Sequence, residues 1–257
     1  MHDLSHGIGP RIIVRFGESK FFIITESVCF AVLLAIVLIL LALWMTNSMQ
    51  RVPTKKQAVA EFIVEFIYNM TRNTMGAHNM AFAPYIGTIF IFVIFGNMLG
   101  MFGFRPITAD ANTTFALSTI TFFLIEYNSW RSMGVKRKLH HMCEPFPVYI
   151  GAVTMFPLKI IESLSRPLSL GFRLFGNIFG GVMVMALIFT GLGTFCHFLG
   201  EKIVFFHYIP LFEAVIPLPA NVFFDLFEPI VQAYIFTMLT MVFISIEMVK
   251  HGDGEHH

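Results

Sequence analysis

Between residues 159 and 177 an otherwise apolar stretch carries Lys159, Glu162, Arg166, Arg173 and Asn177. Lys159, Arg166 and Arg173 are spaced at seven residues, two helical turns, so they fall near one face, with Glu162 and Ser169 close to it and Asn177 one turn beyond Arg173. An arginine at the centre of a membrane-spanning helix costs about 2.5–3.5 kcal/mol on insertion scales, which makes it a functional residue by default. Guanidinium does not deprotonate in a protein, so Arg173 is a fixed charge along which no proton passes. Glu162 and Arg166, at i,i+4 near the cytoplasmic end, read either as a structural pair or as part of an ion entry, and the first does not exclude the second. Arg173 has no acidic residue within two turns on its own helix. Its counter-charge must come from Asp225 or Glu228 further along the chain, or from another subunit.

Asp225, Glu228 and Gln232 form a second constellation, at spacings of three and four. On one face of a regular helix, three such groups read as a hydrated path into the membrane rather than as core packing. Gly176, Gly180 and Gly181 permit another helix to come close.

The elements that must position these residues are hydrophobic helices. Of 257 residues 56% are hydrophobic and only 13% charged, and the mean hydropathy is +0.73. The apolar runs are long and uninterrupted by the alternation of a membrane β-barrel, so the expected fold class is an all-α polytopic membrane protein. About five membrane-embedded helices and one amphipathic interfacial helix are expected. A net charge of +1, with no basic stripe interleaved with aromatics, gives no reason to expect nucleic acid. Cys29, Cys143 and Cys196 are far apart, and His140 and His141 are adjacent in a loop, so no metal and no cofactor are expected.

In chain order, residues 1–20 read as an outer tail and 21–49 as the first span. Residues 55–77 form the amphipathic helix, with Val59, Phe62, Ile63, Phe66, Ile67 and Met70 on the apolar side. Residues 82–104 form the second span, with Asn97 as its strongly polar side chain, and 109–130 a third, weaker span rich in Thr and Ser. The basic loop 131–147 carries Arg131, Lys136, Arg137 and Lys138 and faces the cytoplasm by the positive-inside rule, which places the N-terminus outside. Residues 148–195 hold Arg173, residues 209–249 make the final long segment, and 250–257 form a solvated tail. Both long segments exceed one ~30 Å crossing. Pro157 and Pro167 are places to bend the first of them, and Gly191 with Gly193 reads as its end.

The run SRPLSLGFRLFGNIFGG at 165–181, followed by VQAYIFTMLT at 231–240, resembles subunit a of the rotary F-type ATP synthases. Both motifs stand in the right order on the last two long segments. The first span, the amphipathic helix and the loop with Pro145, Phe146 and Pro147 extend the likeness over nearly the whole chain. The resemblance implies an ion-translocating stator subunit whose last two helices lie steeply tilted against a ring of c subunits. It implies that Arg173 is the required arginine and that Asn177 and Gln232 flank the ion path. It further implies that Glu162, Arg166 and Ser169 border the cytoplasmic half-channel and Asn97 the outer one. The implied partners are the c-ring, the peripheral-stalk subunit b and the bilayer, in an energy-coupling membrane such as a bacterial inner membrane. One departure stands out: where many relatives carry Glu or His nine residues after the arginine, this chain has Val182. Asp225 lies seven before Gln232, where relatives often carry Glu or His, and the pair Asp225 and Glu228 is placed to take over. Rival classes are a stand-alone ion channel or secondary transporter, which also buries charges, and an intramembrane hydrolase, for which neither HExxH nor GxSxG is present.

Overall fold

Each long apolar run becomes a helix, because in hydrocarbon the backbone finds partners only within a helix or a closed barrel. The computed structural model describes residues 12–15, 23–47, 49–50, 52–134, 138, 148–200 and 217–249. Within them stand α1 (Glu26–Thr46), α2 (Lys55–Met75), α3 (Ala83–Met98), α4 (Ala111–Met133), α5 (Val148–Gly200), α6 (Pro217–Val222) and α7 (Glu228–Val249). Short 3₁₀ turns flank α3 at Ala77–Phe82 and Leu99–Phe102. Among the described residues, four stretches are long and apolar enough to cross a membrane: Glu26–Thr46, Ala77–Phe102, Met155–Phe195 and Pro217–Glu247. α4 has the length but is less apolar. The chain is thus an all-α multi-pass membrane protein.

A small feature precedes the helices. β1 (Ile12–Arg15) and β2 (Ile23–Thr25) pair antiparallel, with Arg15 opposite Ile23 and a bulge between Ile12 and Val14. The first helix therefore starts at Glu26, not at residue 21. Glu26 in its first turn complements the positive end of the helix dipole. His140 and His141, most of the basic loop 131–147, the stretch 201–216 and the tail 250–257 lie outside the described residues.

The chain divides into two compact units. The first comprises the described residues of Met1–Leu38, Phe92–Thr113 and Leu174–Ala233, the second those of Ile39–Ile91, Thr114–Arg173 and Tyr234–His257.

In the second unit the core is built from Met70 and Met75 of α2, Ile86 of α3, Ile125 of α4, and Met241 and Ile244 of α7. Thr54 caps α2, its hydroxyl accepting from the Gln57 amide, and Gly76 with φ +80° ends the helix. Ile67, Met70, Thr71 and Met75 are the buried residues in its later turns. Val59, Phe62, Ile63 and Phe66, expected on the same apolar side, stay exposed. Only the C-terminal half of that stripe therefore packs on the protein. The hydroxyls of α4 bond back to their own helix, Thr121 to the Leu117 carbonyl at 3.1 Å and Ser118 to that of Phe115 at 3.1 Å. Such bonds hide polar groups from lipid.

In the first unit Asp110 caps α4, accepting from the Asn112 amide at 3.1 Å, and also accepts from the Thr25 hydroxyl at 3.4 Å. The Thr108 hydroxyl donates to Asn97 Oδ1, which ties the end of α3 to the turn Ile107–Ala109.

α5 settles a question that composition leaves open. It runs unbroken for 53 residues, through Pro157 and Pro167. Each proline removes one backbone hydrogen bond. Gly191 and Gly193 do not end it. A glycine inside a helix costs only about 1 kcal/mol, less than unpaired backbone in an apolar surround.

Candidate functional site

Arg173 sits on α5, exposed, and its guanidinium forms no ion pair among the described residues. Gly176 and Gly180, three and seven residues further, have none of the described residues, beyond their own helix backbone, within 4 Å of where a side chain would begin. Ser169, Arg173 and Gly176 are all exposed, so this face of α5 is left uncovered among the described residues. Asn177, one turn past Arg173, donates through Nδ2 to Gln232 Oε1 at 2.8 Å. Gln232 is buried on α7, and its Nε2 finds no partner among the described residues. The latch between Asn177 and Gln232 sets α5 against α7 within the first unit.

The same unit holds a cavity of about 530 Å³. Asn97, Arg105, Asn221, Asp225 and Glu228 supply its polar lining, and Val182 is part of its wall. Gly181 touches Phe224 and the Glu228 carboxylate: a side-chain carbon there would stand 3.1 Å from Glu228 Oε2. Gly100 is crowded in the same way by Asp225 Oδ1, also at 3.1 Å. Neither carboxylate forms an ion pair among the described residues. Asn97 is 1% exposed and its Nδ2 has no partner among the described residues. Leaving a buried donor unsatisfied costs about 1–3 kcal/mol, so a polar cavity beside it favours bound water.

The second unit gathers the other charges. Arg166 donates to Glu247 Oε1 at 2.6 Å and to Glu162 Oε1 at 3.2 Å, and Lys159 lies 3.4 Å from Glu162. The i,i+4 pair anticipated from sequence is present, but the shorter contact is to Glu247 on α7. Ser129 donates to Glu247 at 3.0 Å, and Lys138 bonds both Ser129 at 2.6 Å and Glu126 at 2.8 Å. Ser163 on α5 closes the array by donating to the other Glu126 oxygen at 2.6 Å. Three carboxylates thus face three cations, and α4, α5 and α7 are bound together by them. Glu126 and Glu247 were not singled out by sequence reading. Each is a lone acid in an apolar run, the signal that could have found them.

Because the array is mostly shielded from solvent, removing one member strands a buried charge. Glu247→Ala is expected to destabilise the detergent-solubilised protein by about 3 kcal/mol, the lower end for breaking a buried pair. The check is the thermal midpoint, which should fall clearly more than for Glu162→Ala at the exposed edge.

The chain's sequence matches the family described as "ATP synthase A chain" over residues 28–245. It is 33% identical to "ATP synthase subunit a" of Desulforamulus reducens over 227 residues, covering 86% of this chain and 78% of the relative. The chain belongs to the ATP synthase A chain family, subunit a of the F-type ATP synthases. A Campylobacter jejuni "ATP synthase subunit a" is likewise 33% identical over 216 residues, 83% of this chain and 85% of that one. "ATP synthase subunit a, sodium ion specific" of Propionigenium modestum is 29% identical over 235 residues, 85% of this chain and 71% of that protein. A subunit a is a membrane component of the ATP synthase, with a part in ion transport and ATP synthesis, and not an enzyme by itself. In this chain Asn177 and Gln232 meet directly, and Asn97, Asp225 and Glu228 line one cavity. Glu162 and Arg166 belong to the charge array, and Ser169 and Arg173 stand on the open face of α5.

Proposed function

We propose that this chain is the ion-translocating stator of the ATP synthase, offering two offset half-channels to the carboxylates of a c-ring, with Arg173 as the fixed charge between them. One observation carries the reading: Arg173 lies exposed on a glycine-bearing face of α5 with no ion partner among the described residues. A charge that expensive in a membrane requires a partner, and a ring carboxylate arriving by rotation is one. Gly176 and Gly180 leave room for a ring helix to approach.

A ring carboxyl facing lipid is protonated. Next to Arg173, an opposite charge at about 4 Å contributes roughly 4 kcal/mol at an effective dielectric of 20, before desolvation is subtracted. That lowers the carboxyl pKa by up to about three units and releases the ion. The cavity lined by Asn97, Asp225 and Glu228 serves as the outer half-channel, the Asn97 Nδ2 holding water there. The cytoplasmic half-channel is bordered by Glu162, Arg166 and Ser169. Protons cross only on the ring, and each charge moved through 100 mV supplies about 2.3 kcal/mol to rotation. With 41 residues in the apolar part of α5, about 60 Å of helix must fit a ~30 Å core, so it lies steeply tilted. Subunit b of the peripheral stalk holds the chain against rotation, in an energy-coupling membrane, for bacterial relatives the inner one.

Reconstitution tests this. The purified chain alone should conduct no protons in liposomes, and conduction should appear with a c-ring. Flux from the chain alone would mean a self-contained channel.

A further inference from the structure

Between α6 and α7 the backbone winds differently. The Glu228 amide donates to the Phe223 carbonyl, five residues back, so Phe223–Phe227 form a π-helical turn. Such a turn holds an extra residue and rotates what precedes it by about 100° relative to a regular helix. On an unbroken α-helix Asp225 and Gln232, seven apart, would lie almost in line. Here they part. Gln232 meets α5 at Asn177, and Glu228, one turn earlier, meets α5 one turn later at Gly181. Asp225 instead faces Gly100, in the 3₁₀ turn that follows α3. Each carboxylate oxygen lies 3.1 Å from where a side-chain carbon on the glycine would stand, a tight contact.

We propose that the π-helical turn is the positioning element of the acidic pair, and that Gly100 and Gly181 are its positioning residues. The turn sends Asp225 to Gly100 while Glu228 stays at Gly181, so the carboxylates reach the cavity from two walls. Their separation matters because like charges on one helix face repel each other. The functional meaning of this placement rests on the cavity being part of the ion path; its geometry does not.

The geometry is tested in the intact ATP synthase, with Cys29, Cys143 and Cys196 replaced by serine. Gly100→Cys with Asp225→Cys should form a disulfide on oxidation, since Gly100 places a side-chain carbon 3.6 Å from Asp225 Cγ. Asn177→Cys with Gln232→Cys, joined by a short bis-methanethiosulfonate, reports the α5–α7 register. Deleting Phe227, a 56% exposed member of the turn, should abolish the first link and leave the second. A first link that survives the deletion, or that fails with the turn intact while the second forms, overturns the proposal.

A second measurement needs no deletion. Gly100→Ala should slow ATP-driven proton uptake about fivefold, the effect of an overpacking cost near 1 kcal/mol. It should have no further effect in an Asp225→Ala background, where the displaced group is gone. Equal slowing in both backgrounds would show that Gly100 acts through packing alone. If Asp225 proves irrelevant to flux, the ion-path reading fails, while the cross-links still decide the geometry.

Discussion

Arg173→Ala is expected to abolish ATP-driven proton pumping in membrane vesicles while leaving the subunit assembled. The residue makes no ion pair with the described part of its own chain, so its loss removes little internal support. On the proposed reading it removes the roughly 4 kcal/mol of attraction that ionises the ring carboxyl, enough to change ion release by about a thousandfold. Lysine is no equivalent: an ammonium shifts its pKa when desolvated and can pass a proton, whereas guanidinium does neither. Arg173→Lys should therefore also fail to pump. Fluorescence quenching of a pH-sensitive dye on ATP addition checks both variants, and full pumping by either would remove the fixed-charge role.

The second large effect is expected from Asp225→Asn combined with Glu228→Gln. Both changes keep the shape of the side chains that fill the notches at Gly100 and Gly181, and both remove the ionisable group. Proton flux should fall about a hundredfold, the low end for loss of positioned acid–base groups. Each single change should cost less, because the other carboxylate still lines the cavity. Initial rates of vesicle acidification measure this, and unchanged flux in the double variant would take the pair out of the pathway.

The sequence made the helices legible because a hydrocarbon solvent leaves the backbone few choices. Runs of apolar residues near α1, α3, α5 and α7 announce spans, and Arg173 stands out because its neighbours are Leu, Phe and Gly. Helix interruptions were harder to read. Gly191 and Gly193 look like an end in water, yet α5 continues through them to Gly200. The strands at Ile12–Arg15 and Ile23–Thr25 did carry a signal, the β-branched runs Ile-Ile-Val and Ile-Ile-Thr.

Long-range pairing was not legible. Arg166 has Glu162 four residues away and Glu247 81 residues away, and the distant carboxylate makes the shorter contact. Local spacing predicts only the nearer partner. The placement of Asp225 was hidden for a different reason: a face drawn from α-helical periodicity assumes an α-helix, and the π-helical turn breaks that register. Asn177 reads from sequence as one turn beyond Arg173 and Gln232 as a polar group on the final segment, but their contact at 2.8 Å depends on how α5 and α7 pack.

The central claim is that the open face of α5 around Arg173 meets the rotating carboxylates of a ring. Cysteine cross-linking from Gly176→Cys, three residues from Arg173 and, beyond its own helix backbone, with no described residue within 4 Å of where its side chain would begin, tests it most directly. In the intact, resting ATP synthase, oxidation should join this position to a cysteine placed within a turn of the ring carboxylate, and rotation driven by ATP should then stop. If that cysteine links to no ring subunit while cysteines elsewhere on α5 do, Arg173 faces something other than the ring and the account is wrong.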